Sequence, residues 1–132
     1  MIEITYRDAK DIDLDEMCRL RADAGFHRLS HDALREHFDG SRWVLSAWDG
    51  ERLVGFVRAI SDGVSLAYVS SMMVDSAYRR RGIARELMRR LTADRPTVRF
   101  VLHAREEAMA FYRAIGFADR SQMMSIERER AE

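Results

Sequence analysis

Several things are scarce in this sequence. Its 132 residues hold one cysteine, Cys18, one proline, Pro96, and one lysine, Lys10. A single cysteine excludes an intrachain disulfide, and with it a disulfide-stapled scaffold. One proline alongside 7 glycines excludes collagen-like and low-complexity readings. No apolar run approaches the roughly 20 residues that a transmembrane helix requires. The opening MIEITYRDAK has no basic stretch followed by an apolar one, so no secretory leader is expected. Net charge is absent too: 22 basic and 22 acidic side chains cancel. That balance argues against wholesale attraction to nucleic acid or to an anionic membrane. The resulting expectation is a cytoplasmic protein with neither nucleic-acid nor membrane partners.

What is present is a globular balance, 47% hydrophobic and 33% charged, in a length suited to a single domain over 1–132. A chain of this size buries roughly two-thirds of its unfolded surface, enough for a core and one site.

Periodicity sketches the order of elements. Ile2 to Arg7 alternates like a strand. Asp13 or Asp15 caps a helix that turns Leu14, Met17, Cys18 and Phe26 inward and closes near Gly25. On that face Cys18 reads as an inert buried thiol. Ser30 starts a second helix, with Leu34 and Phe38 at i, i+4 and Gly40 at its end. Trp43 to Trp48 and Leu53 to Ile60 flank the turn Asp49-Gly50-Glu51-Arg52 and form a hairpin. Asp62-Gly63 turns into a strand over Leu66 to Val74. Ile83, Leu87, Met88 and Leu91 then form the stripe of an amphipathic helix that ends before Pro96. Thr97 to Leu102 alternates again, Ala108 to Ile115 is helical up to Gly116, and Ser121 to Ile126 reads as a last strand before a charged tail. The fold class is therefore α/β (α+β): a mixed, mostly antiparallel central sheet flanked by helices on both faces. A β-α-β crossover joins Leu66–Val74 to Thr97–Leu102.

The stretch Met72-Met73-Val74-Asp75-Ser76-Ala77-Tyr78-Arg79-Arg80-Arg81-Gly82-Ile83-Ala84 carries the most chemistry. A strand ends, an arginine-rich loop follows, and an amphipathic helix begins at once. Helix N-termini present unpaired N–H groups and a partial positive charge, and so attract phosphate. Gly82 lets a ligand approach the backbone, and Arg79, Arg80 and Arg81 add charge there. The bland alternative is a solvated basic patch. The spacing of a Walker loop is absent, and so are the glycines of a dinucleotide fingerprint.

Arg79-x-x-Gly82-x-Ala84 resembles the Arg/Gln-x-x-Gly-x-Gly/Ala signature of the GNAT superfamily of N-acetyltransferases. The run from Leu102 to Phe117, ending Tyr112-x-x-x-Gly116-Phe117, is similar to that family's second signature. The resemblance implies a GNAT-like fold. It also implies acetyl transfer from acetyl-CoA, as co-substrate, to a primary amine by direct attack in a ternary complex. Met72, Met73 and Val74 would pair with the pantetheine arm and help stabilise an oxyanion. Backbone N–H groups from Arg79, Arg80, Arg81, Gly82, Ile83 and Ala84 would hold the pyrophosphate. Tyr112 would protonate the leaving thiolate; its structural alternative is a core tyrosine.

Departures from the pattern are Ser76 in place of a frequent proline and Arg105 in place of Asn or Ser. Ser70 and Ser71 stand where some members place an acidic base. Asp62, Tyr68, His103 or water is then left to take the amine proton, with Asp62 better explained as a turn residue. The acceptor is a small-molecule or peptide amine, and a homodimer is common among look-alikes. His27, His31 and His37 lack a neighbouring acidic or cysteine cluster in the sequence, so no metal site is expected. An acyl-CoA-binding or sensing module without catalysis is the alternative from a different class. The missing strand carboxylate favours it, and Tyr112 favours the enzyme.

Overall fold

A computed structural model of the protein describes residues 3–129. The elements run β1 (Thr5–Asp8), α1 (Leu14–Asp23), α2 (His31–Asp39), β2 (Trp43–Asp49), β3 (Arg52–Ser61), β4 (Leu66–Val74), α3 (Ile83–Thr92), β5 (Arg99–Leu102) and α4 (Met109–Ala114). They form one five-stranded sheet in the order β1-β2-β3-β4-β5. The first three pairings are antiparallel, and β4 and β5 are parallel. The crossover through α3 is the β-α-β unit expected from the sequence.

Local chemistry explains the boundaries. Asp13 caps α1 by accepting a hydrogen bond from the Glu16 N–H at 2.9 Å. Asp15 and Glu16 in the first turn complement the helix dipole. Ser30 caps α2 through its hydroxyl, which accepts from the Ala33 N–H at 3.1 Å, without the Glu or Gln that would complete a capping box. In the hairpin, Asp49 pairs with Arg52, and Gly50 supplies the left-handed residue of the turn at φ +59°.

Two cores sit on opposite faces of the sheet. Beneath α1 and α2 lie Met17, Leu20, Leu34 and Phe38 against Trp48, Leu53, Phe56 and Met73. Beneath α3 lie Ile83, Leu87, Met88 and Leu91 against Ala47, Val54, Val57 and Val69. All four residues of the expected α3 stripe are buried. At ~2 kcal/mol per large apolar side chain, that burial holds the helix on the sheet. Gly55 permits the close approach. A Cβ there would lie 2.7 Å from Ile83 Cγ2 and 3.1 Å from Leu87 Cδ1.

The C-terminal expectation needs correction. Ser121 to Ile126 is not a strand, and Met123, Met124 and Ile126 are exposed. Adjacent methionines break the period of two, and this segment pairs with no edge of the sheet. The strand expected from Thr97 begins at Arg99. The last helix is shorter than expected and is preceded by a 3-10 turn over Glu106–Ala108. The first strand, expected from Ile2, begins at Thr5, and Ile2 lies outside the described residues.

Candidate active site

The site begins with a fault in β4. Ser70 pairs with Arg58 and Met73 with Phe56, so two residues of β4, Ser71 and Met72, face one residue of β3. That is a β-bulge, and Ser71 holds the left-handed conformation it needs, φ +64°. On the other side of β4 the parallel register runs only from Leu66↔Arg99 to Val69↔Leu102. From Ser70 to Val74 the edge facing away from β3 has no strand partner among the described residues. Met72, Met73 and Val74, assigned to that edge from the sequence, lie on this unpaired length. Met73 is buried toward α1, and Met72 and Val74 are half-buried on the α3 side.

A buried carboxylate fixes the chain where it leaves β4. Asp75 is 1% exposed, and its N–H donates to the Val54 carbonyl at 2.9 Å. Its Oδ2 accepts from Arg19 Nη1 at 3.0 Å and from Arg52 Nε and Nη2 at 3.1 and 2.9 Å. Oδ1 accepts from the Ala77 N–H at 2.9 Å. Burial pushes this carboxyl up, but the hydrogen bonds from Ala77, Arg52 and Arg19 outweigh it and hold it below the ordinary value. Arg19 also donates to Glu16 and to the Leu53 carbonyl. Ser76 is tied to the end of α1 through Asp23, at 2.8 Å from its N–H and 2.7 Å from its hydroxyl. The turn that follows is therefore held by ionic and hydrogen-bonded contacts from α1 and β3.

That turn leads into the N-terminus of α3. Gly82 is the N-cap residue, in a left-handed conformation at φ +75°, with no side chain capping the helix. The first bond of the helix runs from the Glu86 N–H to the Gly82 carbonyl at 2.9 Å. The amides of Ile83, Ala84 and Arg85 therefore have no intrahelical acceptor. A Cβ built on Gly82 meets nothing within 4 Å, so the space beside this N-cap residue is open. Arg79, Arg80 and Arg81 are exposed beside it, and none forms an ion pair among the described residues. The Arg81 guanidinium lies 5.1 Å from the Tyr78 ring, whose hydroxyl donates to Asp49. Open amides, a bare glycine and unneutralised guanidinium groups suit a diphosphate.

Tyr112 lies on α4, which follows β5. Its ring meets Phe117 edge-on at 5.6 Å and Phe111 at 5.1 Å. Phe117 packs on the same cluster as Met72, Val74 and Leu102. Burial raises the Tyr112 phenol above its ordinary value, so it stays protonated near neutral pH.

Other sequence candidates fall elsewhere. Asp62 is a turn residue: it accepts from the N–H groups of Val64 and Ser65 and from the Ser65 hydroxyl, which hold its carboxyl far below the ordinary value. His103 is exposed and Tyr68 half-buried. Arg105 places its guanidinium 5.2 Å from the Phe26 ring. His31 pairs with Asp15 at 3.2 Å on the surface. Sequence reasoning missed Asp75, Gly55 and the bulge at Ser71. The first had a visible signal, an acid ending an apolar strand two residues before an N–H it can cap.

With this geometry in place, comparison with known proteins is decisive. The acetyltransferase (GNAT) domain model matches residues 8–127. The chain belongs to the GNAT family. It is 30% identical over 119 residues to serotonin N-acetyltransferase 2, chloroplastic, of Oryza sativa subsp. japonica, covering 85% of this chain and 60% of that protein. The chain spans about 60% of the length of the curated relatives it matches. A GNAT family acetyltransferase of Streptococcus pneumoniae superposes with TM-score 0.76 at 27% identity, covering 96% of this chain and all of that one. A Clostridium acetobutylicum structure described as holding acetyl-CoA shares the fold with TM-score 0.72 at 20% identity, covering 95% of this chain and 96% of that one.

Proposed function

We propose that the protein transfers an acetyl group from acetyl-CoA to a primary amine by direct attack in a ternary complex. The observation that carries this reading is the parting of β4 from β5 after Val69 and Leu102, in sequence with an α3 N-terminus whose amides are open. The residues fit the coenzyme. The free edge of Met72 to Val74 suits the amides of pantetheine. The N–H groups from Arg79 to Ala84 and the three arginine side chains suit its pyrophosphate. Acetyl-CoA would supply the activated thioester carbonyl. An edge N–H of β4 aimed at the developing oxyanion would contribute about 10²–10³ in rate. Tyr112, held neutral by burial, would protonate the departing thiolate.

No carboxylate stands at Ser70 or Ser71, so the proton of the attacking amine would leave through water. This reading is tested by thermal denaturation with acetyl-CoA, CoA and ATP, followed by a thiol-release screen over amines. Serotonin, named for the rice relative, belongs in the panel. Stabilisation by acetyl-CoA and CoA but not ATP, with thiol release on at least one amine, is the expected result. Stabilisation without turnover across a broad panel would favour a binding module, and no uptake of coenzyme would reject both.

A further inference from the structure

On the sheet face covered by α1 and α2 lies a group that this reading leaves unused. Arg58 projects from β3 opposite Ser70, one residue before the left-handed Ser71 of the bulge. Its Nη1 donates to the Ser41 hydroxyl at 3.2 Å and its Nη2 to the Ser70 hydroxyl at 3.3 Å. Its Nε is buried with no acceptor among the described residues. Among the described residues no carboxylate pairs with it, although Arg19 and Arg52 share Asp75, Arg89 and Arg90 share Glu86, and Arg113 has Asp119. Acids are thus plentiful in the chain and missing from this spot.

The surroundings are cationic as well. Arg21, 4% exposed, spends Nε and Nη2 on the His27 carbonyl at 3.2 and 2.9 Å and has no carboxylate partner among the described residues. His37, half-buried on α2, is kept below its ordinary value by burial, then by Arg58, Arg21 and His27, so it stays neutral near pH 7. Burial also lowers Arg58, with Arg21 adding to the effect and Tyr68 opposing it. A half-buried guanidinium with two hydroxyl partners has lost hydration that neutral acceptors replace only in part. An anion would replace it.

We propose that the acceptor amine carries an anionic group, a carboxylate or a phosphate, and that Arg58 receives it beside the bulge where β4 leaves β5. This rests on the acetyl-transfer reading, since the same bulge opens the edge assigned to the coenzyme. An anion at Arg58 would place the amine nitrogen a few bonds away, toward that edge. Arg21 would add positive field, with its Nε and Nη2 already engaged by the His27 carbonyl. The site takes a specificity-determining arginine of a kind that a neutral arylalkylamine would leave unpaired.

The test uses matched amines with and without the anion: 5-hydroxytryptophan against serotonin, β-alanine against β-alaninamide, and phosphoethanolamine against ethanolamine. Thiol release gives kcat/KM, and calorimetry in the presence of CoA gives binding, for wild type, Arg58→Gln and Arg58→Lys. One charge-assisted hydrogen-bonded pair predicts roughly a 10- to 100-fold preference for the anionic member. Whether the first two pairs or the third shows it separates carboxylate from phosphate. Arg58→Gln should reduce the preference to about twofold or less with CoA affinity unchanged. Arg58→Lys should keep part of it, and serves if the Gln variant fails to fold. Equal or better use of the neutral members, a preference that survives in Arg58→Gln, or no anion-dependent binding in any pair would overturn the proposal. Loss of coenzyme uptake by the wild type would sink the acetyl-transfer reading instead; calorimetry of the same amine pairs without CoA would then read the anion preference at Arg58.

Discussion

Replacing Gly82 with valine separates coenzyme binding from folding, because the structure predicts a small effect on one and a large effect on the other. The residue sits at φ +75°, and a Cβ there would touch no protein atom within 4 Å. The folding cost is therefore backbone strain, roughly 1–2 kcal/mol for a side chain in the left-handed region. For a chain of this length that lowers Tm by about 4–8 °C. Gly82 is the N-cap residue, so a valine side chain there would stand next to the open amides of Ile83, Ala84 and Arg85. Hydrogen bonds from such amides to a charged oxygen are worth about 1.5–3 kcal/mol each. Displacing a diphosphate from even one or two of them weakens binding by at least about 10- to 100-fold. Isothermal titration with CoA, alongside thermal melts, measures both quantities. Gly50→Val is the control, since Gly50 also has a positive φ, +59°, and open space around it, but lies in the β2–β3 turn. Both variants should lose similar stability, and only Gly82→Val should lose the coenzyme. Equal CoA affinity in Gly82→Val and wild type would refute the assignment of the pyrophosphate to this turn.

Tyr112→Phe should leave CoA affinity within about twofold and lower kcat by about 10²-fold or more, read by titration and steady-state thiol release. Gly55→Ala would force a Cβ to 2.7 Å from Ile83 Cγ2; overpacking should cost about 1–3 kcal/mol in a urea melt and, by shifting the start of α3, weaken CoA binding too. Asp75→Asn should cost about 3 kcal/mol, because Arg19 and Arg52 lose their shared buried partner. The sign of its pH dependence is set by a carboxyl held below its unfolded value of 3.8. The stability it contributes is fully present above that value and is lost as pH falls through the lower folded one, so the wild-type melting temperature should drop on that acid limb more steeply than that of Asp75→Asn.

The elements legible in the sequence were those whose signal is local. The α3 stripe, the Asp49–Arg52 hairpin and the caps at Asp13 and Ser30 depend on neighbours within a few positions, and each appears where the pattern puts it. The strand-to-helix turn proposed for the pyrophosphate was legible as a structure for the same reason, since a strand, an arginine run, a glycine and an amphipathic helix lie within one contiguous stretch. The bulge was not legible, because Ser70-Ser71 shows no more than weak strand propensity until β3 is laid beside it. Only then do two residues of β4 face one of β3. Arg58 was illegible for a stronger reason. In sequence it is the one charged residue in the otherwise apolar run Leu53 to Ile60, and the run by itself does not say what that residue faces. Its meaning is relational: Ser41, Ser70, Arg21 and His37 come from four other segments, and the telling fact is that none of them supplies a negative charge. Coenzyme recognition can be encoded by a short motif because it uses backbone amides at one helix end. On the proposal made for Arg58, acceptor recognition would be spread over side chains 12 to 37 positions apart from Arg58 along the chain, Ser70 and Arg21 being the extremes. Specificity for the amine would then be set by changes that leave both signatures untouched, on the face beneath α1 and α2.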